Sequence, residues 1–226
     1  MEQYRREMKI AIIIPAYNEE ENIKNLLDGL KGFSRDDIIV IDDGSTDKTA
    51  EIVTSYGVVL LRHKENKGKG MAHRTGFEYA IRNGFNGVIT MDADGQHSPE
   101  EIKNFFESKN GADILIGTRK MSLKNMPVVR YLTNKITSLT VSLLSSQRVL
   151  DSQSGFRYIS REVLKKVPLR TGKFQTESEI LIKAGRMGFK IGSVPISTIY
   201  KEERSYINPI IDTGRFIGLV ARSLFE

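Results

Sequence analysis

The first half of the chain is built from short unbroken apolar runs, each followed by a polar stretch and then by apolar residues at helical spacing. Lys9 to Ile14 is such a run, rich in β-branched residues, as expected of a strand covered on both faces of a parallel sheet. Pro15 is expected to stop it. Asn18 is expected to cap the following helix, with Glu21 in a capping-box arrangement and Ile23, Leu26, Leu27 and Leu30 as the apolar stripe. The unit then repeats. Ile38 to Ile41 runs into Asp42-Asp43-Gly44-Ser45-Thr46-Asp47 and a helix around Ala50 to Val53. Val58 to Leu61 leads to Asn66-Lys67-Gly68-Lys69-Gly70 and a helix carrying Phe77, Ala80 and Ile81. Gly87 to Thr90 leads to Met91-Asp92-Ala93-Asp94-Gly95-Gln96-His97 and a helix start with Ser98 as N-cap and Pro99 at the first helical position. A fifth strand, Asp113 to Gly117, ends at Thr118-Arg119. Strands alternating with short helices imply βαβ units and an α/β fold with a parallel sheet. Ligands bind beyond the carboxyl ends of such strands, and every chemically unusual stretch here follows a strand.

After residue 119 the pattern changes. Pro127 to Ser146 reads as a helix whose apolar residues alternate with Arg130, Lys135 and small hydroxyls. Asp151 to Arg157 is a loop entering a short strand, Phe156 to Ile159, and Gln175-Thr176-Glu177-Ser178-Glu179 opens another helix. Lys190 to Tyr200 reads as a strand whose Pro195 places it at a sheet edge. The last segment, Ile207 to Phe225, is apolar on most faces.

Charge sharpens the division. The net charge of +6 conceals 15 Lys/Arg against 20 Asp/Glu in residues 1–118, and 19 against 8 in residues 119–226. From Asp113 to Asp151 no acidic residue intervenes. A basic second half suits an anionic partner such as phosphate, a lipid head group or nucleic acid, or else is a solvated surface. With no cysteine there is no disulfide, thiol nucleophile or thiolate metal site, which is compatible with a reducing cytoplasm. No run of about 20 uncharged apolar residues is present, so a simple spanning helix is not expected.

Several chemistries are excluded by spacing. Asn66 to Gly70 lacks the GxxxxGK[ST] arrangement, no GxGxxG follows the first strand, and no Ser-His-Asp set has support. Asp92 and Asp94 are one residue apart at a strand end. They point the same way if the strand continues, and with the Gln96 amide oxygen they suit a hard divalent cation; otherwise the stretch is a polar turn.

Taken together and in order, Pro15-Ala16-Tyr17-Asn18-Glu19, Asp42 to Asp47, Asn66 to Gly70 and Asp92 to Gln96 resemble the motif set of family 2 inverting glycosyltransferases. Gly117-Thr118-Arg119, Arg130, Asp151 to Arg157 and Gln175 to Glu177 extend the likeness to its dolichyl-phosphate hexose synthase branch, over about residues 9–205. The resemblance implies a GT-A fold, a Rossmann-like and mostly parallel sheet flanked by helices. Its nucleotide-sugar half would cover about 9–118, its acceptor half about 119–205, and residues 206–226 would form a C-terminal apolar, amphipathic helix. It implies that Pro15, Tyr17, Glu19, Asp42 and Asp43 line the nucleotide, with Lys69 and Glu177 also on the donor. Asp92 and Ala93 would contact the donor, and Asp94 and Gln96 would hold Mg²⁺ or Mn²⁺. Asp92, Arg119, Arg130 and Arg204 would be the catalytic set, the arginines surrounding the donor diphosphate and acceptor phosphate.

The residues favour a phosphate acceptor independently. A hydroxyl acceptor needs a general base, whereas a phosphomonoester, with a second pKa near ~6, is already anionic. It needs positive charge instead, and arginines at 119, 130, 157 and 204 offer permanent planar forks. Glu177 is the candidate base for the alternative, a sugar hydroxyl acceptor in polysaccharide synthesis; otherwise it is a carboxylate favoured at a helix start. The expected partners are a nucleotide sugar, with UDP-sugars favoured over GDP-mannose, a polyprenyl or dolichyl phosphate, and a membrane surface, without nucleic acid. Val128 to Leu144 and Ile207 to Phe225 either lie in the membrane interface or cover the sheet as core helices. The expected location is cytoplasmic, peripheral at the inner membrane face.

Overall fold

The computed structural model of the protein describes residues 9–108, 111–119, 128–197 and 209–225. Among them, seven strands form one sheet: β1 Ile10–Ala16, β2 Ile38–Asp42, β3 Val59–Arg62, β4 Gly87–Thr90, β5 Ile114–Arg119, β6 Arg157–Ser160 and β7 Ile191–Ile196. Their spatial order is β3-β2-β1-β4-β6-β5-β7. The first four strands are mutually parallel and β7 runs parallel to β5, whereas β6 is antiparallel to both β4 and β5.

The unbroken apolar runs follow from burial on two sides. Ile10, Ile12 and Ile14 enter one core with Leu26 and Leu27 of α1 (Ile23–Gly29), Val53 of α2 (Thr49–Tyr56) and Phe105 of α4 (Ile102–Glu107). Ala11 and Ile13 enter the other, with Phe77 of α3 (Lys69–Arg82), Val141 of α5 (Val128–Ser145), Val163 of α6 (Arg161–Lys166), Leu181 of α7 (Thr176–Arg186) and Leu219 of α8 (Pro209–Phe225). Side chains alternate across a strand, so a strand between two helical layers must be apolar at every position.

Three local expectations are corrected. Pro15 does not stop β1, which continues to Ala16. Ile13 O accepts from Met91 N on the β4 side and Ala16 O from Asp43 N on the β2 side. By alternation Pro15 faces the β4 side, where that strand has already ended at Thr90, so its missing N–H removes no ladder bond. Asn18 is not a helix cap. It is left-handed (φ 54°), and its Oδ1 accepts from Thr46 N at 2.9 Å, tying the loop after β1 to the loop after β2. Ser98 does stand at the N-cap with Pro99 first in the turn, but the turn is a short 3₁₀ one, Pro99–Glu101, and the Ser98 side chain makes no capping bond. Pro195 does lie in an edge strand, β7.

Helix α5 is inside out. Val128, Val129, Leu132, Ile136, Leu139 and Leu143 are exposed, while Asn134, Thr137, Ser138 and Ser145 are buried beside Val141. Ser138 Oγ accepts from Ser152 N at 2.9 Å, and Ser142 Oγ accepts from Val149 N at 2.9 Å. The inward hydroxyls therefore hold the loop that leads into β6. The helix therefore covers the core through Val141 and Leu144 on one face while the six-residue stripe stays outside it.

Candidate active site

The loops after β1, β2, β3 and β4 converge at the carboxyl edge of the sheet. The antiparallel β6 brings the 151–157 loop to the same edge, because its register sets Arg157 opposite Thr90. Thr90 Oγ1 donates to Gly155 O at 2.7 Å and fastens the two.

Asp42 and Asp43, expected to line the nucleotide, both have internal partners. Asp42 is fully buried, accepting from Ser45 N at 2.9 Å and ion-paired with Arg62 Nε at 2.8 Å. Asp43 accepts from Lys67 N at 2.9 Å and Gly68 N at 2.7 Å, and its Oδ1 lies 2.6 Å from His63 Nδ1. His63 Nε2 continues to Thr75 Oγ1 at 2.9 Å. Asp43 thus fixes the glycine loop from below. Pro15 is buried in β1, while Tyr17 and Glu19 are half-buried at the same edge. Glu19 N donates to Thr49 Oγ1 at 2.8 Å, and Glu19 Oε2 accepts from Asn22 Nδ2 at 3.1 Å.

The centre of the edge is an ion triad. Lys69 Nζ lies 2.7 Å from Asp92 Oδ1 and 2.8 Å from Glu177 Oε1, all three groups being mostly buried. Burial opposes the Lys69 charge, but Asp92 and then Glu177 outweigh it and hold the ammonium well above the ordinary lysine range. Burial likewise pushes the Asp92 carboxyl up, and Lys69 followed by His97 overcomes this and holds it well below the ordinary range. His73, buried beneath, is pushed down to about 4 by burial against the weaker pull of Glu177. His97 stacks on Phe156, with ring centroids 5.1 Å apart, outside the triad.

Asp92 and Asp94 do not share a strand face, because β4 ends at Thr90. Ala93 is buried between them. Asp94 Oδ1 accepts from Gln96 N at 3.0 Å, and Gly95 is left-handed (φ 72°), so residues 94–96 form a tight turn presenting both oxygen-bearing side chains. Among the described residues no three His, Cys, Asp or Glu side chains gather as a complete metal site.

The arginines divide sharply. Arg157 is 2% exposed and donates to three main-chain carbonyls: Ser154 O from Nε at 2.7 Å, Glu177 O at 2.5 Å and Ser152 O at 2.8 Å. Burial pushes its guanidinium down. It braces the site from within, and its expected place among the phosphate-facing arginines is corrected. Arg119 is paired two-pronged with buried Asp151, at 2.7 and 3.0 Å. Arg130 lies on α5 with its side chain outside the described residues, as is Arg204 entirely. Sequence reasoning missed Gly155: a Cβ there would meet the Asp92 carboxylate at 2.4–2.7 Å, so only glycine seats that carboxylate against the loop. Its position between Ser154 and the start of a short apolar strand at Phe156 was the available signal.

Comparison with known proteins fits this geometry. The family model described as "Glycosyl transferase family 2" matches residues 11–168. The chain belongs to that family. It is therefore a glycosyltransferase. This transferase is 37% identical over 217 residues to the UDP-N-acetylglucosamine–dolichyl-phosphate N-acetylglucosaminyltransferase of Methanococcus voltae, covering 85% of this chain and 86% of that one. It is 36% identical to the dolichol-phosphate mannosyltransferase of Pyrococcus furiosus, over 78% of this chain and 53% of the relative. Its fold matches glucosyl-3-phosphoglycerate synthase from Mycobacterium tuberculosis, solved with Mn²⁺, UDP and phosphoglyceric acid. The TM-score is 0.73 at 22% identity, covering 99% of this chain and 79% of that one. The transferase thus has the GT-A arrangement expected from its loops.

Proposed function

We propose that the transferase moves a hexose, with inversion, from a nucleotide sugar to a polyprenyl or dolichyl phosphate at the cytoplasmic face of the membrane, with UDP-sugars as the favoured donors. The observation that carries the choice of acceptor is the state of Glu177. Glu177, the main candidate general base among the described residues, is engaged 2.8 Å from the Lys69 ammonium. A hydroxyl acceptor would need it for proton removal; a phosphate acceptor arrives already anionic. The Methanococcus relative, named for a dolichyl-phosphate acceptor and a UDP-sugar donor, supports the same reading.

In this reading residues 9–118 bind the donor and 119–205 the acceptor. Pro15, Tyr17, Glu19 and the loop fixed by Asp42 and Asp43 form the nucleotide seat. Asp92 and Ala93 face the sugar. Asp94 and Gln96 would hold Mg²⁺ or Mn²⁺. The fit is chemical: the tight turn supplies one carboxylate and one amide oxygen, and such cations take one or two protein oxygens with the remainder from substrate phosphates and water. A cation bound there supplies countercharge to the departing nucleoside diphosphate. Arg119, aimed by Asp151, and Arg130 and Arg204 lower the repulsion between two anionic substrates, and the acceptor oxygen attacks the anomeric carbon opposite the leaving group. The apolar stripe of α5, with Arg130 and Lys135 on the helix and no acidic residue from 114 to 150, suits an anionic lipid surface. No described helix is long and apolar enough to cross a membrane.

The test supplies Mn²⁺, polyprenyl phosphate and a panel of UDP- and GDP-sugars, and follows lipid-linked sugar. Product from a UDP-sugar that vanishes on chelation is expected. No lipid-linked product from any donor, with sugar passed instead to a free sugar hydroxyl, would overturn the proposal.

A further inference from the structure

The glycine loop after β3 has basic residues and a glycine spacing that match no phosphate-binding pattern, and its second lysine, Lys69, points into the protein rather than out. We infer that Lys69 is a positioning residue, the fixed countercharge that holds Asp92 in the orientation the donor sugar meets and keeps Glu177 beside it. This rests on the donor-binding reading of Asp92 given above.

The loop is shaped to deliver that one ammonium. Gly68 opens α3 in a left-handed conformation (φ 99°), and a Cβ there would strike Lys173 and the Gly172 carbonyl at 2.2–2.9 Å. At Gly70 a Cβ would lie 2.1 Å from Thr176 Oγ1 and 2.6 Å from the Gly172 and Lys173 backbone. Met71 N donates to Gly172 O at 3.0 Å across this contact. The two glycines thus let the start of α3 press against the start of α7, and Lys69 between them bridges the β4 loop to Glu177 on α7. From the other side Gly155 closes on Asp92.

The surrounding charges leave this work to Lys69. Arg157, also nearby, is turned away to three carbonyls, and His73 below is held neutral by burial. Two carboxylates sit on one ammonium, so the triad carries one net negative charge. Removing the lysine leaves two like charges in a mostly buried site, where repulsion is strong. Asp92 then has no reason to remain against Gly155. A lysine that contacted the donor directly would instead act through donor affinity.

Kinetics and binding separate these roles in Lys69→Met, Lys69→Arg and the double variant Lys69→Met/Glu177→Gln, each checked for an unchanged circular dichroism spectrum. In Lys69→Met, kcat is expected to fall ~100-fold while the donor KM changes less than ~threefold. The double variant, with one charge removed and an amide able to donate to Asp92, is expected to recover at least ~tenfold over Lys69→Met. Lys69→Arg, which keeps the charge, should fall between Lys69→Met and wild type. A calorimetric arm needs no acceptor. Donor binding read this way should weaken less than ~threefold in Lys69→Met and in the double variant, even if polyprenyl phosphate proves not to be the acceptor. A raised KM with unchanged kcat, or a double variant no better than Lys69→Met, would overturn the inference.

Discussion

Replacing Arg157 by methionine removes three hydrogen bonds from a charged donor and strands the carbonyls of Ser152, Ser154 and Glu177 in a site only 2% open to solvent. Bonds from charged donors contribute about 1.5–3 kcal/mol each. The guanidinium's own desolvation, visible in its lowered pKa, offsets part of that sum. The net loss should be about 3 kcal/mol, which for a domain of this length lowers Tm by roughly 6–12 °C. Thermal unfolding followed by circular dichroism at pH 7 reads it directly. Arg157→Lys should fall between, because a point ammonium cannot reach three carbonyls arranged around a planar fork. A methionine variant melting within about 2 °C of wild type would refute the bracing role. A variant of unchanged Tm whose acceptor KM rises would return Arg157 to the phosphate.

Acid should weaken the fold through His73. Its folded pKa of about 4 lies below the unfolded value near 6.5, so between the two the unfolded chain takes up a proton that the folded one refuses. Its contribution is full above pH 6.5 and is lost as pH falls toward 4, about 2 kcal/mol of it by pH 5; Tm should drop less between pH 7 and 5 in His73→Phe, and equal drops would contradict the assignment. Asp94→Asn should raise the Mn²⁺ concentration giving half-maximal transfer at least ~tenfold while moving Tm by less than about 2 °C, since an amide oxygen can still accept from Gln96 N; an unchanged Mn²⁺ response would remove Asp94 from the metal. Ile136→Glu with Leu139→Glu should abolish sedimentation with anionic vesicles and leave Tm within about 1 °C, because these side chains are already 64% and 62% exposed. A large fall in Tm would mean the stripe is packed against the protein.

The first four strands, and the loops that carry the chemistry, were legible because their physics is local. A strand between two helical layers must be apolar throughout, and a loop after it announces itself by glycine and carboxylate. What could not be read is where distant segments meet. Nothing near Arg157 distinguishes a buried arginine from a phosphate-binding one; three carbonyls from residues 152, 154 and 177 decide it. Likewise the α5 pattern showed an apolar stripe but not its direction, which is set by Ser138 and Ser142 gripping the 149–152 backbone. Asn18 looked like a cap because its local sequence fits one, yet the partner that claims it is Thr46, 28 residues on. The membership of Lys69 in one cluster with Asp92 and Glu177 was equally a matter of tertiary closure.

The antiparallel insertion of β6 has a consequence for how the chain reaches this state. Strands β1 to β4 can assemble from the first 90 residues, but the free side of β4 stays unpaired until Arg157–Ser160 arrives. Nor can β5 join the sheet beforehand, since β6 lies between it and β4. During synthesis about 65 residues must therefore emerge with a buried-type strand edge open, at ~5–20 residues per second an interval of several seconds. That edge is a template for pairing with another chain. Expression at lower temperature or with chaperones should raise soluble yield more than any change to the finished surface. Loosening the 152–154 loop that delivers β6, as Arg157→Met is expected to do, should increase aggregation of the nascent chain beyond what the loss in Tm accounts for.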